Sequence, residues 1–249
     1  MIARYVAIIC FGLFLGALYM LYERRAPFQT KPLTASNIIC STLYTPDKIL
    51  YIDMHDEGIL YVHQEEGSPT LHVEADQVLL PFIDITLHNA TATLRLKQGN
   101  YSLDKIPKPQ FYLVTSDIAA ITLSGHAQII TKNTLQVDSL DINAQGNSNI
   151  TATINTKELD VQSYGASTVK LSGTALEQHL ELHGASRYEA QNLTSLECSI
   201  HASGASTAYI NAKDKLYGLI TNSSIVTHYG TSQIEVTQNN DAQILKWNQ

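Results

Sequence analysis

One short phrase returns four times between Gln145 and Thr207: Gly146-Asn147-Ser148, Gly165-Ala166-Ser167, Gly184-Ala185-Ser186 and Gly204-Ala205-Ser206. The glycines stand 19, 19 and 20 residues apart. A fixed short period of this kind marks a stacked-repeat architecture, in which each unit buries its apolar side against its neighbours. Counted from each glycine, the even offsets are mostly apolar. Ile142, Val161, Leu180 and Ile200 lie four before; Ile150, Val169, Tyr188 and Ala208 lie four after; Ala152, Leu171, Ala190 and Ile210 lie six after. The odd offsets are polar, as in Asn143, Gln162, Glu181 and His201 or Thr151, Lys170, Glu189 and Tyr209. Period-two alternation assigns the two sets to opposite faces of an extended chain, whereas a helical period would scatter them.

A repeat of about 20 residues spans roughly 60–65 Å at about 3.3 Å per strand residue, too long for one strand and suited to one coil of a parallel β-helix. Coils stacked about 4.8 Å apart place equivalent residues in ladders. Glycine suits the corner because it adopts positive φ without a Cβ clash. The serine two residues on shares the inward parity. That predicts a buried hydroxyl ladder, with hydrogen bonding to the turn backbone as the competing role.

Upstream, Tyr5 to Tyr22 is a run of 18 residues without a charge. As a helix it measures about 27 Å, just enough for a bilayer core of about 30 Å. Residues 1–25 are therefore expected to form a membrane anchor or signal segment. A retained anchor is favoured, because no small-x-small cleavage site precedes Ala26. Residues 26–46, with Pro27, Pro32 and Pro46, read as a linker. Residues 47–249 are expected to form one all-β domain of short strands broken by Gly, Pro, Asp and Asn, closed at its end by the segment Gln233–Trp247.

The whole chain carries a formal net charge of −7. Without Arg4, Arg24, Arg25 and Glu23, residues 26–249 hold 13 basic and 22 acidic residues, net −9. That disfavours both nucleic-acid binding and electrostatic adhesion to an anionic membrane surface through bulk charge, and no nucleic-acid partner is expected. Cys40 and Cys198 are too far apart for a disulfide framework or a metal motif. Inward parity makes Cys198 a buried thiol, and a Cys40–Cys198 bridge is left open.

Ile121-Thr122-Leu123-Ser124-Gly125, the Gly-Ala-Ser phrases, and the run Leu216-Tyr217-Gly218-Leu219-Ile220-Thr221-Asn222-Ser223-Ser224-Ile225 through Thr227-His228-Tyr229-Gly230 resemble the DUF2807 family. Its members are described as putative auto-transporter adhesin, head GIN domain proteins. Asn222 stands where the family's ending usually has glycine. Asparagine is the next best residue for a left-handed bend, so the corner is expected to survive. The resemblance covers residues 45–238. It implies a right-handed parallel β-helix-like solenoid of about 20-residue coils, a bacterial envelope location with the body periplasmic or extracellular, and no catalytic residues.

One outward row carries candidate chemistry: Asp141, Asp160, His179 and Ser199, each five residues before a glycine. Stacked carboxylates at about 4.8 Å repel and raise one pKa, which suits general acid chemistry or cation capture; solvation of an exposed strand is the simpler role. No phosphate loop, dinucleotide fingerprint, G-x-S-x-G elbow or His/Cys metal grouping occurs. Tyr164, Tyr209, Arg187 and the Asn/Gln/Thr rows could form a carbohydrate face or the ordinary outside of a solenoid. The expected function is a membrane-anchored, non-catalytic binding module outside the cytoplasm, with no cofactor or metal, whose partner is a polysaccharide or a cell-envelope protein. The alternatives are a structural scaffold that meets another subunit and a glycan-active enzyme using Asp141 and Asp160.

Overall fold

The structure is a computed structural model that describes residues 31–32, 35–36, 39–97, 101–102 and 106–247. It is an all-β solenoid of about seven turns with spacing near 19 residues. Long strands wrap around the axis: Asn149–Ser163, Thr168–Leu182, Arg187–Ala202 and Thr207–Ile220. Each pairs in parallel with the next. Ile142 lies over Val161, Val161 over Leu180 and Leu180 over Ile200, as the sequence period requires. All four are buried. Each such aliphatic side chain contributes about 1.5–3 kcal/mol by leaving water, so the axis supplies most of the stabilisation.

The corner is a single column. Asp56, Gly125, Gly146, Gly165, Gly184, Gly204, Asn222 and Asn240 all take positive φ, between 58° and 81°. Adjacent corners touch: a Cβ on Gly165 would lie 2.9 Å from the carbonyl oxygen of Gly146. The Ala166 amide donates to that same oxygen at 2.7 Å. Asn222 holds the bend at φ 59°, and the Asn240 amide nitrogen donates to its side-chain oxygen at 3.0 Å.

The serines after the corner, Ser148, Ser167, Ser186, Ser206 and Ser224, are all buried. Both expected roles occur. Ser167 Oγ bonds Tyr164 O at 2.9 Å and Ala144 O at 3.1 Å. The hydroxyls of Ser148, Ser186 and Ser206 have no hydrogen-bond partner among the described residues. Ser167→Ala is therefore expected to cost about 1 kcal/mol in urea unfolding, the net value of a typical hydrogen bond. Ser186→Ala should be neutral or stabilising, because it removes an unmet buried hydroxyl.

The amino-terminal end is closed differently. Thr70–Asp76 pairs antiparallel with Gln110–Thr115, and Ile83–His88 with Thr91–Leu96. The coil Tyr51–Gln64 lies between strands later in the chain: Tyr51 pairs with Thr91 on one side and Ala120 on the other. The expected linker is partly built into this end. Lys31–Pro32 pairs with Tyr101–Ser102, Ser36 bonds the buried Asp76, and Ile39–Tyr44 pairs antiparallel with Thr70–Asp76. Strand pairing is thus present before residue 47. The run Tyr5–Tyr22 lies outside the described residues; among the described residues no helix is long and apolar enough to cross a membrane.

The segment Gln233–Trp247 extends the solenoid instead of capping it as expected. Its strands Gln233–Gln238 and Gln243–Lys246 continue the parallel ladders on Lys215–Ile220 and Ile225–His228. Their far edges pair with no strand among the described residues. The reason is local: Asn240 makes one more left-handed corner, so the chain keeps winding.

His228 sits in the axis of this last coil, fully buried, with Nε2 3.2 Å from Ala212 O and 3.0 Å from Ser232 Oγ. Burial holds its pKa below the usual histidine value; Lys246 adds to this and the Ala212 carbonyl opposes it. Above about pH 6.5 the group is neutral in both folded and unfolded chains and adds no pH dependence. As the pH falls below that value the unfolded chain takes up the proton first, so stability drops. Unfolding midpoints measured between pH 7.5 and 5 should fall for the native chain and fall less for His228→Asn.

Candidate functional site

Two grooves run along the solenoid on different sides. The first follows the row expected from the sequence. Asp141, Asp160, His179 and Ser199 occupy consecutive rungs, and Asp141 is preceded by Ala120 and, one rung further, by Tyr51. Small Ala120 leaves a recess of about 490 Å³, bounded by Asp141, Asp160, Gln162, His179 and Glu181. The Asp160 carboxyl is raised above the ordinary aspartate value, chiefly by desolvation, with Asp141, Glu158 and Glu181 adding and His179 opposing. The main cause is thus burial, and the carboxylate repulsion expected from the stacking of Asp141 on Asp160 is a smaller contribution. It does not gather a metal site: among the described residues no three His, Cys, Asp or Glu side chains are placed to hold an ion.

The next outward row on this face is Asn143, Gln162, Glu181 and His201, and the row beyond it carries Tyr164 and His183. Tyr164 and His183 stack with ring centres 5.1 Å apart and planes 9° from parallel, and His201 meets His183 edge-on at 5.9 Å. His183 Nδ1 lies 2.7 Å from Ser203 Oγ. The facing surfaces of Tyr164 and His183 are spent on each other along the ladder. On the opposite face Arg187 is bonded to Glu189 at 2.5 Å and covers Tyr209 at 4.8 Å. Those two expected sugar contacts are thus engaged within the chain.

The second and larger groove, about 800 Å³, follows the corner seam opposite the glycine column. Sequence reading did not single it out. One wall is a hydrogen-bonded chain of side chains across successive rungs. Asn155 Nδ2 donates to Gln136 Oε1 at 2.8 Å and Thr174 Oγ1 to Asn155 Oδ1 at 2.6 Å, while Gln64, outside the lining, donates from Nε2 to the Gln136 backbone carbonyl at 3.0 Å. The floor is Ile118, Val137, Thr156 and Ala175, and the other wall carries Asp138, Lys157 and exposed Leu176. Lys157 pairs with Asp138 at 2.7 Å, leaving Asp117 as the remaining charge in the lining. The one available signal was the recurrence of Gln136, Asn155 and Thr174 at 19-residue steps.

Inside the axis, Tyr188 Oη donates to Gln178 Oε1 at 2.6 Å, with both residues fully buried. Cys198 stands on the rung after Gln178, a free and fully buried thiol whose pKa burial pushes far up. It forms no bridge to Cys40, whose backbone pairs with Ala75 at the amino-terminal end. Such a thiol is inert toward nucleophilic chemistry.

These features define a laddered β-solenoid with polar grooves parallel to its axis. The chain belongs to the DUF2807 family, described as "Putative auto-transporter adhesin, head GIN domain", whose model matches residues 51–243. A search of curated proteins finds no match. Among solved structures, a putative adhesin from Bacteroides fragilis is similar at a TM-score of 0.79 and 21% identity, covering 86% of this chain and 100% of its own. A putative lipid-binding protein from Parabacteroides distasonis gives 0.69 at 12% identity, covering 88% and 100%. A putative adhesin from Parabacteroides merdae gives 0.61 at 17%, covering 87% and 99%. At these identities the likeness establishes the fold alone.

Proposed function

We propose that this chain is a non-catalytic binding module of the bacterial cell envelope, held by its N-terminal apolar run with the body outside the cytoplasm, and that it binds a polysaccharide along the corner seam. The observation that carries this reading is the bonded wall of Gln136, Asn155 and Thr174 beside an apolar floor. A few fixed polar groups over apolar surface are what ligand grooves use for orientation and affinity. The wall repeats at the strand spacing of about 4.8 Å, comparable to the length of one pyranose in an extended chain, so successive sugars meet successive rungs. The paired Lys157 and Asp138 leave the lining almost neutral, which favours an uncharged polymer over an acidic one. The adhesin description of the family agrees with recognition rather than turnover.

A glycan array probed with the full chain in detergent tests the reading. The double variant Asn155→Ala, Thr174→Ala is expected to weaken binding about tenfold, since each lost hydrogen bond is worth about 0.5–1.5 kcal/mol. Asp160→Asn on the other face should leave affinity unchanged. Absence of any glycan ligand, or loss with Asp160→Asn alone, disposes of it. A scaffold role is the second reading, supported by the unpaired edges of Gln233–Gln238 and Gln243–Lys246. Open edges recruit further strands. Size exclusion and cross-linking of the full chain distinguish it.

A further inference from the structure

Eight large apolar residues are exposed among the described residues: Leu176 and Leu196 beside the paired Glu177 and Glu197 on the solenoid side, Tyr51 in the first coil, Leu245 and Trp247 at the carboxy-terminal end, and a group at the other end. Three of them, Ile39, Leu43 and Leu80, are 59%, 64% and 38% exposed. All lie at the amino-terminal end, on the strand Ile39–Tyr44 and the 3-10 turn Gln77–Phe82, two elements in contact with each other. Ile39 and Leu43 project from one side of their strand, because Tyr44 on the alternate parity packs against the core. The outer edge of that strand pairs with no strand among the described residues. Residues 1–30 join the body at this same end, through Lys31–Pro32. Within them, Tyr5–Tyr22 is an uncharged run long enough for a bilayer core, and only eight residues separate Tyr22 from Lys31.

We infer that this rim is a membrane-docking surface: Ile39, Leu43 and Leu80 rest in the interfacial layer of the bilayer entered by Tyr5–Tyr22. The solenoid then stands with its open carboxy-terminal end pointing away. The partner is the lipid surface, chosen because these three exposed apolar residues and the apolar run share one end and a short connection. The contact is apolar rather than ionic. The body's net charge of −9 opposes attraction to anionic lipid, so zwitterionic phosphatidylcholine should suffice. Apolar rim residues lose water on docking, and the unpaired edge of Ile39–Tyr44 finds hydrogen-bonding headgroups and water at that depth, which the hydrocarbon core could not supply.

The single tryptophan, Trp247, lies at the far end and gives a natural control. The full chain is reconstituted into phosphatidylcholine vesicles with acyl-chain bromine, and fluorescence is read with and without aqueous iodide. The native chain should lose most of its emission to iodide and little to bromine. A Leu43→Trp, Trp247→Phe chain should show the reverse, with strong loss to bromine and protection from iodide. Adding Ile39→Asp to that chain should restore iodide access. The inference is overturned if the indole at position 43 stays open to iodide and untouched by bromine, or if the chain does not remain with the vesicles. Protection from iodide that appears without lipid and grows with protein concentration also overturns it, since a second copy would then be the occupant.

Discussion

Replacing Gly218 by valine is expected to abolish the cooperative unfolding transition of the carboxy-terminal half. Gly218 follows Ile200 on the apolar spine and holds φ at 134°. A Cβ there would lie 1.9 Å from the Ile200 carbonyl oxygen and 2.9 Å from its carbon. Those atoms are backbone, so no side-chain rotation relieves the overlap. The dihedral alone costs about 1–3 kcal/mol for a residue with a side chain. Separating the two strands adds the loss of ladder hydrogen bonds, which brings the total to the exceptional range above about 4 kcal/mol. Circular dichroism melts should show a loss of amplitude or a steep drop in midpoint. An unchanged melt for Gly218→Val would mean that the strands Arg187–Ala202 and Thr207–Ile220 do not approach as described.

The second large effect is at Tyr188. It is the bulkiest fully buried side chain, in a column with Val169 and Ala208. Its hydroxyl is the sole donor to Gln178 Oε1 among the described residues. Tyr188→Ala leaves a cavity and an unmet amide together, and aromatic-to-alanine changes in cores cost about 3–5 kcal/mol. Tyr188→Phe keeps the volume and strands only the amide, at about 1–3 kcal/mol. Changing Gln178 to leucine in the Tyr188→Phe chain should recover much of that loss, because it removes both the stranded Oε1 and the Nε2 that has no partner among the described residues even in the native chain. Urea titrations of the three variants check the ordering. Equal losses for Tyr188→Ala and Tyr188→Phe would contradict it.

The carboxy-terminal coils were legible because their ladder rests on letters repeating at one step. Ile142, Val161, Leu180 and Ile200 gave the register, and alternation gave the faces. The corner column was only half legible. Asp56 stands four after Ile52, as Gly125 stands four after Ile121, but a carboxylate does not announce a left-handed bend. Asn240 was obscured in the same way, and so the last coil read as a cap. The amino-terminal closure was illegible for a different reason. Antiparallel pairing of Thr70–Asp76 with Gln110–Thr115 carries no period, and Pro27, Pro32 and Pro46 suggested a linker where Ile39–Tyr44 forms a strand. The Asp141–Asp160 row followed directly from register. The seam did not, since its wall depends on which amides face one another around a corner, and alternation fails at corners. Gln178 and His228 fell on inward parity, yet nothing in parity says why a polar residue belongs there.

The place of Tyr51–Gln64 between later strands has a consequence for how the molecule is made. Tyr51 waits for Thr91 on one side and for Ala120, 69 residues downstream, on the other. Beyond Ser139 each coil needs only its immediate predecessor, about 19 residues back. Synthesis from the ribosome therefore meets one slow, distant closure and then a rapid zippering, because closing long loops precedes the contacts that reward it. Chains released before Ala120 emerges hold two unsatisfied sheet edges, and that is the interval in which aggregation is most dangerous.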